Sequence, residues 1–233
     1  MNVAYLRRGE GKDLVFLHGY LSCKESFYPQ IGYFSRHFRV TAPDFPGFGE
    51  SDRISAAWSV GDYADWLEGF FKEQGIVFPY VIAHSFGGRV ALKCLARGLI
   101  DRAVLTGCAG IVKKRTMAYR IRVGGYRLVK RVSPRFAEAH FGSREYRSLS
   151  PLMRESYKKI VNEDLREEAG RIARPVLYLY GERDKETPLS SGRILHECTA
   201  GSKLAVFKGC GHFAHLEEPL LFNLAAEEFL DDA

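Results

Sequence analysis

Apolar residues along this chain gather in short runs that alternate with longer segments of helical spacing. Asp13-Leu-Val-Phe-Leu17 closes at His18-Gly19, and Phe38-Arg-Val-Thr-Ala42 closes at Pro43-Asp44-Phe45-Pro46-Gly47. Both read as buried strands ended by turn residues. Tyr80 to Ala83, Ala103 to Thr106, Pro175 to Tyr180 and Lys203 to Phe207 predict further strands. Between them the period changes. Val60, Tyr63, Trp66, Leu67, Phe70 and Phe71 repeat at helical spacing up to Gly75, behind a Ser59-Val-Gly-Asp62 start that resembles a capped helix N-terminus. Val90, Ala91, Cys94 and Leu95 form one face of a helix ended by Gly98. Helices are also expected over 190–198 and 220–230.

Strands that alternate with helices argue for an α/β domain whose mostly parallel sheet is covered on both faces. Reactive groups in such sheets collect at the carboxyl ends of strands. His18, Ser85, Asp184 and His212 all fall there. The stretch from Ile111 to Gly170 breaks the alternation, with helical periodicity and no clear strand. It reads as a helical, basic lid (111–170) inserted into a core formed by 1–110 and 171–233.

Composition adds bounds. The 233 residues are 46% hydrophobic and 27% charged, an ordinary globular balance. The net charge of +6 is uneven: Ile111 to Arg174 holds 17 Lys and Arg against 7 Asp and Glu. Cys23, Cys94, Cys108, Cys198 and Cys210 are scattered, odd in number and without a C-x-x-C pair, which argues against a disulfide framework or a zinc site. The first residues lack a signal-peptide pattern, and no apolar run approaches the ~20 residues that span a bilayer. A cytoplasmic protein with reduced thiols is expected.

Candidate chemistry centres on VIAHSFGGRVAL, residues 81 to 92. A serine between a strand and a helix invites two readings. It caps the helix, since serine is a preferred cap. Alternatively it sits on a strained turn with positive φ that exposes its hydroxyl beside the helix N-terminus, where Ala83 and Gly87 let strand and helix approach. Two other strand ends bear on the choice: Gly181-Glu-Arg-Asp184 supplies an acid, and Gly209-Cys-Gly-His212 supplies an imidazole. A serine hydroxyl becomes a nucleophile when a base takes its proton, and the base works best when a carboxylate fixes its tautomer.

In the order His18-Gly19-Tyr20, Asp44-Phe-Pro-Gly-Phe-Gly-Glu-Ser51, Ala83-His-Ser-Phe-Gly87, Gly181-Glu-Arg-Asp184 and Gly209-Cys-Gly-His212, the chain resembles the α/β-hydrolases over essentially its whole length. The resemblance implies Ser85 as nucleophile, His212 as base and Asp184 as orienting acid. It also implies an oxyanion hole from the backbone N–H groups of Tyr20 and Phe86. Ala83 stands where the family usually has glycine; a methyl group still permits close packing. Phe141-Gly-Ser-Arg-Glu-Tyr146, Met153-Arg154 and Val161-Asn-Glu-Asp-Leu165 resemble bacterial members named only by fold.

Each role has rivals. His215 lies three residues beyond His212, but the Gly-x-Gly before His212 and Glu217-Glu218-Pro219 after it fit the family's pattern. Glu182 and Glu186 read as solvated loop charges, and Asp44 and Ser51 as organisers of their loop. His18 reads as a shaper of the oxyanion loop. His84 is a candidate substrate contact or an inert packed imidazole. Arg89 is a candidate substrate contact as well, because Ser-x-Gly-Gly-Arg is similar to a menaquinone-pathway lyase of this fold. From Ile111 to Arg135 there are nine basic residues and no acidic one. They form a solvated face of the lid, attract an anionic acyl substrate, or dock to an acidic membrane surface. No motif for nucleic acid accompanies them.

The expected function is a serine hydrolase that cleaves a carboxylic ester or thioester through an acyl-enzyme, with no metal or organic cofactor. Carbon–carbon bond hydrolysis or lyase chemistry on the same fold is the alternative. The hydrolases of aromatic ring-cleavage products usually have asparagine at the position of His84 and tryptophan at that of Phe213. Perhydrolase or haloperoxidase activity is a side option, and a non-catalytic binding protein is the rival of another kind. The natural substrate, acyl length and oligomeric state are not written in the sequence.

Overall fold

A computed structural model of the protein describes residues 1–112, 146 and 149–231. Its centre is a seven-stranded sheet in the order β1-β3-β2-β4-β5-β6-β7. The strands are β1 (Tyr5–Arg8), β2 (Lys12–Leu17), β3 (Phe38–Pro43), β4 (Tyr80–His84), β5 (Arg102–Thr106), β6 (Val176–Gly181) and β7 (Lys203–Phe207). Among the described residues only β1 runs antiparallel, against β3; every other pair is parallel.

The central strands β2, β4, β5 and β6 are apolar on both faces because helices cover both. Val15, Leu17, Val81, Ala83, Ala103, Leu105, Val176, Tyr178 and Tyr180 look to one side. There α2 (Val60–Glu73), α3 (Phe86–Ala96), α5 (Arg166–Gly170) and α6 (Leu189–Cys198) pack. Leu14, Phe16, Ile82, Val104, Leu177 and Leu179 look to the other, against α1 (Tyr28–Phe34) and α8 (Pro219–Asp231). Alternate residues of one strand thus feed two separate cores, as the two-residue repeat of a pleated strand requires.

α2 begins where its sequence predicts. The Ser59 hydroxyl accepts from the Asp62 amide, and the Asp62 carboxylate accepts from the Ser59 amide, a reciprocal cap that satisfies two otherwise unpaired donors. Between β5 and β6 lie α4 (Pro151–Asn162) and α5. α4 is tied to the loop before α2: the Ser156 hydroxyl donates to the Trp58 carbonyl at 2.6 Å and Lys159 Nζ to that of Ala57 at 2.6 Å. α5 belongs to the core, with Leu165 at its start and Ala169 both fully buried beside α3. The basic stretch 113–135 and the Phe141-to-Glu145 part of the quoted motif lie outside the described residues. Among those described, no helix is long and apolar enough to cross a membrane.

The strand order sets the cleft. From β2 the chain steps outward to β3, then crosses back to β4 on the other side of β2. The loops after β2 and β4 therefore leave the sheet in opposite directions and part at their carboxyl ends, the position where open α/β sheets bind ligands. His18-Gly19-Tyr20 follows β2, and Ser85 follows β4.

Candidate active site

Ser85 stands at the cap position of α3, yet its side chain makes no capping hydrogen bond. Its backbone lies at φ 51° and ψ −105°, in a region that side-chain-bearing residues rarely adopt. Such a residue costs on the order of 1–3 kcal/mol and persists only where its surroundings fix it. Here they do. The Ser85 amide donates to the Thr106 carbonyl at 3.1 Å, and the Ser85 carbonyl accepts from the Ala109 amide at 3.2 Å. Gly87 permits the turn to close, since a Cβ there would stand 2.3 Å from the Leu17 carbonyl oxygen. The geometry is that of the strained turn and not of a serine cap.

His18 shapes the loop opposite. Its Nδ1–H donates to the Gly19 carbonyl at 2.7 Å, and its Nε2 accepts from the Phe45 amide at 3.0 Å. Both nitrogens are committed to a neutral ring, and burial holds the pKa down to about 4, against the opposing pull of the Gly19 carbonyl and Asp44. The Gly19 carbonyl and the Tyr20 amide belong to one trans peptide and point in opposite directions. Drawing that carbonyl toward His18 therefore turns the Tyr20 N–H away from it. The Phe86 amide, at the first position of α3, has no acceptor within its helix. The Tyr20 ring packs edge-on against Phe48 and Phe86, and its hydroxyl donates to the Met153 carbonyl of α4 at 3.2 Å. The loop behind is anchored by Asp44, fully buried, which accepts from the Lys24 and Glu50 amides and pairs with Lys24 Nζ.

The acid and the imidazole meet. His212 Nδ1 donates to Asp184 Oδ2 at 2.7 Å. Asp184 Oδ1 accepts from the amides of Glu186 and Thr187, each at 2.9 Å. Burial pushes the Asp184 carboxyl up, but the bonds from His212 and Thr187 outweigh it and hold the group below its ordinary value. The His212 ring lies over Gly107, where a Cβ would come within 3.1 Å of Nδ1. Its loop is braced by Glu217, which accepts from the Gly211 amide at 2.8 Å. With Nδ1 on the carboxylate, Nε2 is the nitrogen left for a proton from elsewhere. Among the described residues no hydrogen bond joins the Ser85 hydroxyl to His212. The two are brought to one strand end, Ser85 bonded to Thr106 and His212 packed on Gly107.

The other candidates sort by contact. His215 is buried on α7 (Ala214–Glu217), ring to ring with Phe27 and His84; burial and then His212 hold its pKa down to about 3. Glu182 and Glu186 are exposed. His84 is 4% exposed, and its Nε2 donates to the His212 backbone carbonyl at 3.0 Å. Arg89 is 6% exposed, and its guanidinium donates to the Glu163 carbonyl at 2.8 Å, at the C-terminal end of α4 where a cation is favourable. Both expected substrate contacts are thus engaged by protein groups. Thr187, which the sequence reading passed over, contributes a hydroxyl 2.7 Å from Asp184 Oδ2 and 3.2 Å from His212 Nδ1. Its only sequence signal is its place three residues beyond the acid. Among the described residues no group of three or more His, Cys, Asp or Glu side chains is placed to hold a metal ion.

Comparison with known proteins agrees with this architecture. The sequence profile of the alpha/beta hydrolase family matches residues 14–225. The 2-hydroxy-6-oxo-6-(2'-aminophenyl)hexa-2,4-dienoic acid hydrolase of Metapseudomonas resinovorans is 26% identical over 97% of this chain and 86% of its own. Among solved structures, a meta-cleavage product hydrolase from Pseudomonas fluorescens is 25% identical with a TM-score of 0.77, over 99% of this chain and 94% of that one. The enol-lactonase from Burkholderia xenovorans shares the fold with a TM-score of 0.78 at 22% identity, over 99% and 96% of the two chains. With the profile running from β2 into α8, the chain belongs to the alpha/beta hydrolase family, and it is an enzyme.

Proposed function

We infer that the protein hydrolyses a carboxylic ester or thioester through an acyl-enzyme. One observation carries the reading: Ser85 holds a costly left-handed backbone without using its hydroxyl as a cap, beside strand ends that join Asp184 to His212 at 2.7 Å. In the proposed reaction His212 Nε2 takes the Ser85 proton as Oγ attacks the carbonyl carbon. The backbone N–H groups of Tyr20 and Phe86 receive the oxyanion. Collapse expels the alcohol or thiol, which leaves with the proton from His212. Water then attacks the acyl-enzyme with His212 again as base, releasing the acid and Ser85. One oxyanion donor is typically worth ~3 kcal/mol and a positioned base ~10²–10⁴-fold, so these groups suffice for much of the catalysis.

The segment 111–170 is proposed as a cover over the cleft, on the contact of Tyr20 with Met153 and Tyr157 of α4. Its basic charge suits an anionic acyl group. A cytoplasmic setting is proposed with it. Carbon–carbon bond hydrolysis is the second reading, favoured by the identity to the Metapseudomonas enzyme and opposed by the departures at His84 and Phe213.

Labelling by a fluorophosphonate, compared between wild type and Ser85→Ala, tests the serine. A folded wild type that resists the probe rejects the reading. Turnover of p-nitrophenyl esters and acyl-CoA thioesters, set against 2-hydroxy-6-oxodienoates, then separates the two bond types.

A further inference from the structure

Thr187 lies where three strand ends converge. Its hydroxyl oxygen is 2.9 Å from the Gly107 carbonyl after β5, 2.7 Å from Asp184 Oδ2 after β6, and 3.2 Å from His212 Nδ1 after β7. A hydroxyl has one proton and two lone pairs, so it can donate to only one of the two acceptors. Asp184 Oδ2 is nearer and charged, and charge-assisted bonds are the stronger. With the proton given to Asp184, a lone pair remains toward the Nδ1–H of His212, which already donates to the same carboxylate oxygen.

The geometry points to Thr187 as a fourth, positioning member of the acid–base pair. Its hydroxyl closes a three-membered ring of contacts with Asp184 Oδ2 and His212 Nδ1, and so fixes which carboxylate oxygen serves the imidazole. This rests on the function proposed above, in which His212 acts as base. The amide of Thr187 performs a second task, donating to Asp184 Oδ1 at 2.9 Å. The carboxylate is thereby gripped by the same residue through both oxygens. Without the hydroxyl, Oδ2 keeps only the imidazole, and the carboxylate is held otherwise through Oδ1 alone, by the Glu186 and Thr187 amides, with more freedom to tilt. The His212 ring would follow, since Gly107 and the rings of His84 and Phe213 hold it by packing and not by a hydrogen bond to its side chain.

Thr187→Val removes the hydroxyl and keeps the branched shape and the amide; Thr187→Ser keeps the hydroxyl. The Val variant is expected to melt as a folded protein and to lose about three- to tenfold in kcat with KM unchanged, the effect of one hydrogen bond felt in the transition state. The Ser variant should recover most of it. The second readout is the downfield proton resonance of His212 Nδ1–H, identified by its loss in His212→Gln. It should hold its place in Thr187→Ser and shift or broaden in Thr187→Val. An unmoved resonance in the Val variant overturns the inference, whether kcat is unchanged or falls without rescue by Ser. If wild type neither turns over esters nor takes the fluorophosphonate, the proposed function fails, and the resonance alone still decides the role of Thr187.

Discussion

The His84 imidazole donates through Nε2 to the backbone carbonyl of His212 at 3.0 Å, so the residue preceding the serine grips the loop that carries the proposed base. The two rings lie 4.6 Å apart, and Gly19 of the facing loop packs so closely that a Cβ would sit 2.8 Å from His84 Nδ1. His84→Phe should keep the packing and lose the bond. Its kcat on a p-nitrophenyl ester is expected to fall about tenfold with KM little changed. His84→Gln, whose amide nitrogen reaches as far as Nε2, should recover much of the loss. Equal kcat in wild type and the Phe variant would assign the bond no part in turnover.

Ser85 trades stability for position. Glycine adopts positive φ without the cost that a side chain incurs. Ser85→Gly is therefore expected to raise the unfolding free energy by about 1 kcal/mol in a urea titration while abolishing turnover. A destabilised Gly variant would mean that the turn carries no strain.

Stability should fall in mild acid because buried histidines must stay neutral. The His18 pKa is lowered from its ordinary 6.5 to about 4, chiefly by burial. Above about pH 6.5 neither folded nor unfolded chain binds this proton. Between 6.5 and 4 only the unfolded chain does, so stability is lost as pH falls through that window, by about 3 kcal/mol for His18 alone. His215 and His84 act in the same direction. Urea unfolding at a series of pH values should show the decline, and His18→Gln should reduce its slope by about 1.4 kcal/mol per pH unit. An unchanged slope would mean that His18 is protonated in the folded state.

Two glycines on neighbouring helices should respond in opposite ways. A methyl group at Gly87 meets the Leu17 backbone, which cannot yield without moving β2 and the His18 loop behind it. Gly87→Ala is expected to cost about 1–3 kcal/mol or more and to depress kcat. Gly69, inside α2 with nothing within 4 Å of its added Cβ, should gain about 0.5–1 kcal/mol as alanine. Thermal melts of the two variants check both signs.

Six of the seven strands were legible because each carries a short apolar run, buried throughout or nearly so in all but the edge strand β7, and their carboxyl ends correctly gathered His18, Ser85, Asp184 and His212. β1 escaped notice: Tyr5-Leu-Arg-Arg8 is short and mostly exposed, and it is a strand because it pairs with β3. α1 was hidden by Pro29 and Gly32, and it exists through the packing of Ile31 and Phe34 under the sheet. The roles of His84 and Arg89 turn on single hydrogen bonds to carbonyls 128 and 74 residues away, and no local pattern encodes such partners. Thr187 was invisible for the same reason, since its hydroxyl acquires meaning only once three loops are folded together.

The strand that the sequence concealed has its own consequence for the sheet's outer margin. A margin of unpaired peptide groups invites another copy to add on, the first step toward ordered aggregates. Arg7 and Arg8 stand on β1, with Arg7 fastened to Thr41 and Gln74 and Arg8 resting over the Tyr28 ring. A second β1 added in parallel register would bring Arg7 against Arg7 and Arg8 against Arg8. Four residues thus discourage growth at this rim of the sheet, the opposite rim being β7.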